Sequence, residues 1–231
     1  MSEILLTAFH TFLGWDTTAM LALNGCHSVF FDQLMWMVTG KWIWIPLYLS
    51  LAYVLLRNFP WKVTVFCLVA IALTITLCDQ TVSTIIRPLV GRLRPANLDN
   101  PVSSMVHIVN GYRGGAFSFP SSHAANSAGL AMFMILLFKR KWFSWFMGLW
   151  ALLLCYSRVY LGVHYPVDLL VGILIGSAYA TLMYLLFGYA AKRYADGYEV
   201  NTSDIKQLYV PLWICGLTLA ALIVTSAILV Q

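Results

Sequence analysis

The sequence predicts an all-α membrane protein, a polytopic bundle of about six transmembrane helices with an interfacial helical segment at its N-terminus. Three observations predict it. Of the 231 residues, 61% are hydrophobic and only 10% are charged, with a mean hydropathy of +0.79, a balance outside the range of soluble domains. The apolar residues gather into runs close to the roughly 20 that a helix needs to cross a bilayer. The polar residues that interrupt them are concentrated at the ends of those runs, where charge in a membrane protein is a functional hypothesis by default.

Taken in order, residues 2–39 come first and are mixed. Leu5, Leu6, Phe9, Phe12 and Leu13 recur at helical spacing, whereas Asp16, Asn24, His27 and Asp32 break the hydrophobicity. This pattern fits one or two helices lying in the interface, with a bent first span as the alternative. Spans come next near 42–57, 63–86, 121–138, 142–157, 167–187 and 208–230. Trp42, Trp44, Trp61, Trp142 and Trp145 fall at span edges, as interfacial aromatic belts do. Between the second and third spans lies the one long non-apolar loop, 87–120, and a loop of that length usually carries function. Neither internal repeats nor low-complexity stretches appear, so residues 1–231 read as a single domain, with 1–40 as the interfacial segment and 87–168 as the chemically active region.

The formal net charge of +5 does not point to nucleic acid, because the basic residues are scattered through short loops with no basic helix face or aromatic platform. The five cysteines show no CxxC pairing and read as small core residues. The N-terminus lacks a basic stretch before its first apolar run, so no cleaved signal peptide is expected.

Three polar clusters carry the chemistry. They are Arg87-x6-Arg94-Pro95, then Pro120-Ser121-Ser122-His123, then Ser157-Arg158-x5-His164-x3-Asp168. Alternation of spans brings all three to one membrane face. Arginine forks match phosphate oxygens, and histidine attacks or shuttles protons near neutral pH. Basic residues orient the bundle. The opposite face carries eight (Arg57, Lys62, Lys139, Arg140, Lys141, Lys192, Arg193, Lys206) and the site face six (Lys41, Arg87, Arg92, Arg94, Arg113, Arg158). Positive charge marks the cytoplasmic side, so the site is expected to face the periplasm or exterior of a bacterial inner membrane.

In their order and spacing these clusters resemble the motifs of the type 2 phosphatidic acid phosphatase family, whose fold is shared with bacterial acid phosphatases and vanadium haloperoxidases. The resemblance covers 87–168, with two departures: Arg87 stands where lysine is usual, and Ser122 where glycine is usual. It implies a phosphatase acting on a lipid phosphate monoester or diphosphate without metal or other cofactor. His164 matches the nucleophile that forms a phosphohistidine, Asp168 the residue that orients it, and His123 the general acid that protonates the leaving oxygen. Arg87, Arg94, Ser121, Ser122 and Arg158 match the phosphate-binding set. Family substrates include undecaprenyl diphosphate, lipid A phosphates, phosphatidylglycerol phosphate and phosphatidic acid. The first two are favoured here because they present phosphate at the outer face.

Other readings of the same residues compete. His107, His123 and His164 could hold zinc, although the arginine-rich, acid-poor face repels a divalent cation. Arg92 and Arg113 lie outside the motifs and read as arginines snorkelling to headgroups. Asp79, inside the second span, is expected to pair with a site arginine or to bond Ser83 or Asn126. A non-hydrolytic phospholipid-binding protein is the rival from another class; the intact His123, His164 and Asp168 argue against it.

Overall fold

The computed structural model describes residues 3–195 and 205–230, and the described residues form helices joined by turns and one long loop. The order is α1 (Glu3–Gly25), α2 (Val29–Val38), α3 (Ile45–Asn58), α4 (Trp61–Asp79), α5 (Arg87–Val90), α6 (Ser122–Phe138), α7 (Lys141–Tyr160), α8 (Pro166–Tyr194) and α9 (Tyr209–Leu229). A π-helical segment, Gln80–Ile86, joins α4 to α5 without a break. Among the described residues, three helices are long and apolar enough to cross a membrane: Trp61–Val90, Pro166–Tyr194 and Tyr209–Leu229. The pair α2 and Trp42–Asn58, bent by 70°, makes a fourth if it is one broken span. The shorter α6 has 17 residues. The chain is thus an all-helical integral membrane protein, and the full six-span count stays an expectation.

The centre of the bundle is α6 packed along α8, flanked by α4 and α7. Small residues make that approach possible. Gly172 and Gly176 lie one turn apart on α8, and a Cβ on Gly176 would run into the Ala125 carbonyl of α6. This is the close backbone contact that small residues permit in lipid, where the hydrophobic effect cannot drive helices together.

The N-terminal segment does more than lie at the interface, because its polar residues reach into the bundle. Asp16 accepts the Val167 N–H at the start of α8 at 3.0 Å. Asn24 bonds the main chain of His107 and Tyr160. Asp32 accepts the Tyr160 hydroxyl at 2.7 Å and pairs with His107 at 3.0 Å. Of the tryptophans expected in the belts, Trp42, Trp61 and Trp145 are exposed. Trp44 is buried, with its indole N–H on the Val38 carbonyl at 2.8 Å, because it fills the bend between α2 and α3.

Candidate functional site

All three clusters meet at one end of the bundle. The π-helical segment matters for the first. Adding a residue to a turn rotates the residues downstream of it, and such insertions are common at functional sites; here the segment leads into Arg87 at the start of α5. Arg87 Nη2 donates to the Pro120 carbonyl at 3.0 Å and to the Ser122 hydroxyl at 2.7 Å. Arg94 lies in the loop, where the antiparallel bridge between Leu93 and Phe117 holds it. Gly114, at φ +69°, passes directly over it; a Cβ there would stand 3.0 Å from Arg94 Nη1. Arg158, in the last turn of α7, is 3% exposed and donates to Thr39 Oγ1 at 2.7 Å and Tyr112 Oη at 3.3 Å.

These bonds use the terminal nitrogens only. The Nε atoms of Arg87, Arg94 and Arg158 are all buried and have no hydrogen-bond partner among the described residues. The three arginines line one cavity, and because buried donors without acceptors are otherwise rare, the cluster is a candidate anion site. Burial, then the neighbouring Arg158 and Arg87 cations, push the Arg94 pKa down to about 10, so it remains charged at neutral pH.

His164 comes after the turn that ends α7 and is 1% exposed. Its Nε2 is 3.3 Å from Arg94 Nη1 and its Nδ1 is 3.4 Å from Asp168 Oδ2. Arginine can only donate, so this contact assigns the lone pair to Nε2 and the proton to Nδ1, on the Asp168 side. Burial first, then the cations Arg94, Arg158 and Arg87, hold His164 well below the ordinary histidine pKa, which favours the neutral ring. The Nδ1–Asp168 contact lacks hydrogen-bond geometry. The same carboxylate oxygen accepts the Tyr165 N–H at 2.9 Å as the helix cap of α8, with Pro166 beginning the helix.

The sequence motifs miss the group that holds Asp168. Arg92 does not snorkel. It sits between two buried carboxylates, at 3.0 Å from Asp168 Oδ1 and 2.7 Å from Asp16 Oδ2, with its guanidinium 3.6 Å above the Tyr165 ring. Both carboxylates lie 76 residues away in sequence, beyond any local pattern. Arg113 likewise does not snorkel, since it donates to the Ala96 carbonyl at 2.7 Å and braces the loop.

His123 and Ser122 line the cavity with His164 and the three arginines. Ser121 does not enter it. Its hydroxyl caps α6, and its N–H is bonded to the Asp168 carbonyl at 3.0 Å. The serine that replaces glycine is in use: Ser122 Oγ holds Arg87 and lies 2.9 Å from Ser83 Oγ, which in turn donates to Asp79 at 3.4 Å. Asp79 therefore reaches Arg87 through two hydroxyls, as its expected bond to Ser83 requires. His107 is occupied elsewhere, paired with Asp32 and stacked on His27 at 3.7 Å, so the three histidines do not gather around one point.

Below the polar end the cavity, of about 690 Å³, continues between α3, α4, α6 and α7 along Leu51, Ile71, Leu130, Met134 and Leu154. From Ser122 to Met134 on α6 is about 18 Å at 1.5 Å per residue. The basic end of the cavity thus opens into an apolar slot.

Comparisons with known proteins identify the family. The sequence profile of the PAP2 superfamily matches residues 63–192. The chain is 48% identical over 92% of its length, and 96% of the relative's, to a lipid A 4'-phosphatase of Bacteroides thetaiotaomicron. It is 31% identical over 59% of its length, and 60% of the relative's, to an undecaprenyl-diphosphatase of Sulfolobus acidocaldarius. Among solved structures, the crystal structure of Aquifex aeolicus LpxE shares the fold, with a TM-score of 0.54 at 22% identity, over 72% of this chain and 93% of that one. With the profile spanning most of the helical core and a relative matched nearly end to end, the chain belongs to the PAP2 superfamily and is a membrane lipid phosphatase.

Proposed function

We propose that this enzyme removes phosphate from lipid A at the outer face of a bacterial inner membrane, through a phosphohistidine on His164. The observation that carries the reading is the convergence of Arg87, Arg94 and Arg158 on the cavity that His164 also lines, each with a buried Nε that has no hydrogen-bond partner among the described residues. A phosphate drawn onto these forks displaces Arg94 from His164 Nε2 and leaves that lone pair facing phosphorus. The N–P bond forms as the P–O bond to the lipid breaks, and His123 gives its proton to the departing oxygen. Water then attacks the phosphohistidine, with His123 taking its proton, and phosphate leaves. The arginines stabilise the charge of both transition states, the part that metal ions play in other phosphoryl transfers.

Lipid A is preferred over undecaprenyl diphosphate because the more similar relatives are lipid A 4'-phosphatases, at 48% and, in Porphyromonas gingivalis, 32% identity. The basic-residue asymmetry supports the outward orientation. The test is phosphate release by the purified protein in detergent from lipid A, undecaprenyl diphosphate, phosphatidylglycerol phosphate and phosphatidic acid. Lipid A should be turned over fastest, with loss of its 4'-phosphate. Faster release from undecaprenyl diphosphate contradicts the substrate assignment.

A further inference from the structure

The lipid slot is not uniformly apolar. One to two turns below the phosphate pocket, Asp79 of α4 and Asn126 of α6 both line it. Asn126 Oδ1 is buried and accepts no hydrogen bond among the described residues. Asp79 has a single protein donor there, Ser83 Oγ at 3.4 Å, although a carboxylate offers about four acceptor positions. The neighbouring Ser127 gives its hydroxyl to the His123 carbonyl at 2.8 Å, so it supplies neither residue. At this level of the slot the acceptor capacity of the Asp79 carboxylate and of Asn126 Oδ1 exceeds the donors beside it, the Ser83 hydroxyl and the Asn126 amide N–H groups. Acceptors in excess are costly in an apolar surround unless a ligand brings an N–H or O–H.

We infer that Asp79 and Asn126 form a subsite that recognises a hydrogen-bond donor on the lipid itself, an amide N–H or a hydroxyl near the head of its chain. The inference rests on the phosphatase reading, in which the phosphate occupies the arginine pocket and the chain occupies the slot. Asn126 lies four residues below Ser122, about 6 Å along α6, so the donor falls within the first few bonds of the chain. An N-acylated or hydroxylated lipid fits that requirement. Ester-linked diacyl lipids offer only acceptors there, and prenyl chains offer neither.

Ceramide 1-phosphate and phosphatidic acid of matched chain length provide the test, since the first carries an amide N–H and a hydroxyl near its head and the second carries neither. Each is competed against a fluorescent phosphatidic acid on the full-length His164→Ala protein in detergent, where turnover cannot confuse binding. Ceramide 1-phosphate should compete at about tenfold lower concentration, the scale of one or two buried hydrogen bonds. Asn126→Leu should bring the two lipids within about twofold while leaving the affinity for phosphatidic acid unchanged; Asn126→Ala is the second variant should the first fail to fold. Equal affinities in the parent, binding of neither lipid, or equal weakening of both by Asn126→Leu overturns the subsite. Phosphate release by the wild type is measured separately, so loss of lipid discrimination and loss of phosphatase activity are distinct results.

Discussion

Replacing Arg92 with alanine removes the cation between two carboxylates that are almost wholly buried, Asp16 and Asp168, with side chains 1% and 0% exposed. Breaking a buried ion pair on one side leaves uncompensated charge and costs about 3–5 kcal/mol. Part of that falls on stability, through the tie between α1 and the α8 terminus. The rest falls on catalysis. Asp168 faces His164 Nδ1 at 3.4 Å and depends on Arg92 and the Tyr165 N–H for its position. A displacement of about 1 Å at such a group lowers the rate by about 100-fold, or about 2.7 kcal/mol of barrier. The arginines of the phosphate pocket do not touch Arg92, so KM should change little. The assay is steady-state phosphate release by Arg92→Ala, Arg92→Lys and Asp16→Asn, with protein amounts corrected for folded fraction. A kcat loss near 100-fold in Arg92→Ala, partial recovery in Arg92→Lys and an intermediate loss in Asp16→Asn are expected. Activity of Arg92→Ala within threefold of wild type, or an effect confined to folded yield, refutes the reasoning.

Three further outcomes are expected. Arg158→Lys should lose about 100-fold in kcat/KM, nearly as much as Arg158→Ala, because an ammonium cannot hold Thr39 and Tyr112 and still face the substrate; near-normal kinetics would count against the fork. Gly176→Ala should destabilise the protein by about 1–3 kcal/mol or more through overpacking against α6, seen as a lower melting temperature in detergent, and an unchanged melting temperature would contradict the close contact. Turnover should survive excess EDTA and be inhibited by vanadate, whose five-coordinate form bonded to His164 mimics the transition state; activity lost to EDTA and restored by zinc or magnesium would contradict arginine-only charge stabilisation.

What can be read from the sequence divides along physical lines. The motif clusters are legible because each is local: spacing within one helix end or one turn fixes which side chains share a side, and apolar runs then bring the ends together. The same locality explains Asp168, whose place three residues past the Tyr165 cap results from Pro166 starting α8. Arg92 reads as a headgroup contact because its partner Asp16 lies in a segment that looks merely interfacial. Long-range pairs of single charges leave no periodic trace. The π-helical turn before Arg87 is equally silent, since an inserted residue disturbs hydrophobic spacing by less than the ordinary scatter of apolar positions. The two serines of the second motif take different parts. Ser121 faces inward as a cap and Ser122 faces the cavity, a choice made by the exact start of α6, which composition does not fix.

The phosphorylated enzyme intermediate gives the most direct measurement. Wild-type protein mixed with radiolabelled lipid phosphate and quenched in alkali should carry label that is stable to base, lost in acid and located at His164. The His164→Ala protein, folded and in the same detergent, should carry none and retain less than about 1% of activity, a barrier difference of about 2.7 kcal/mol. Label at another residue, or more than that residual turnover, would contradict the assignment of His164 as the nucleophile.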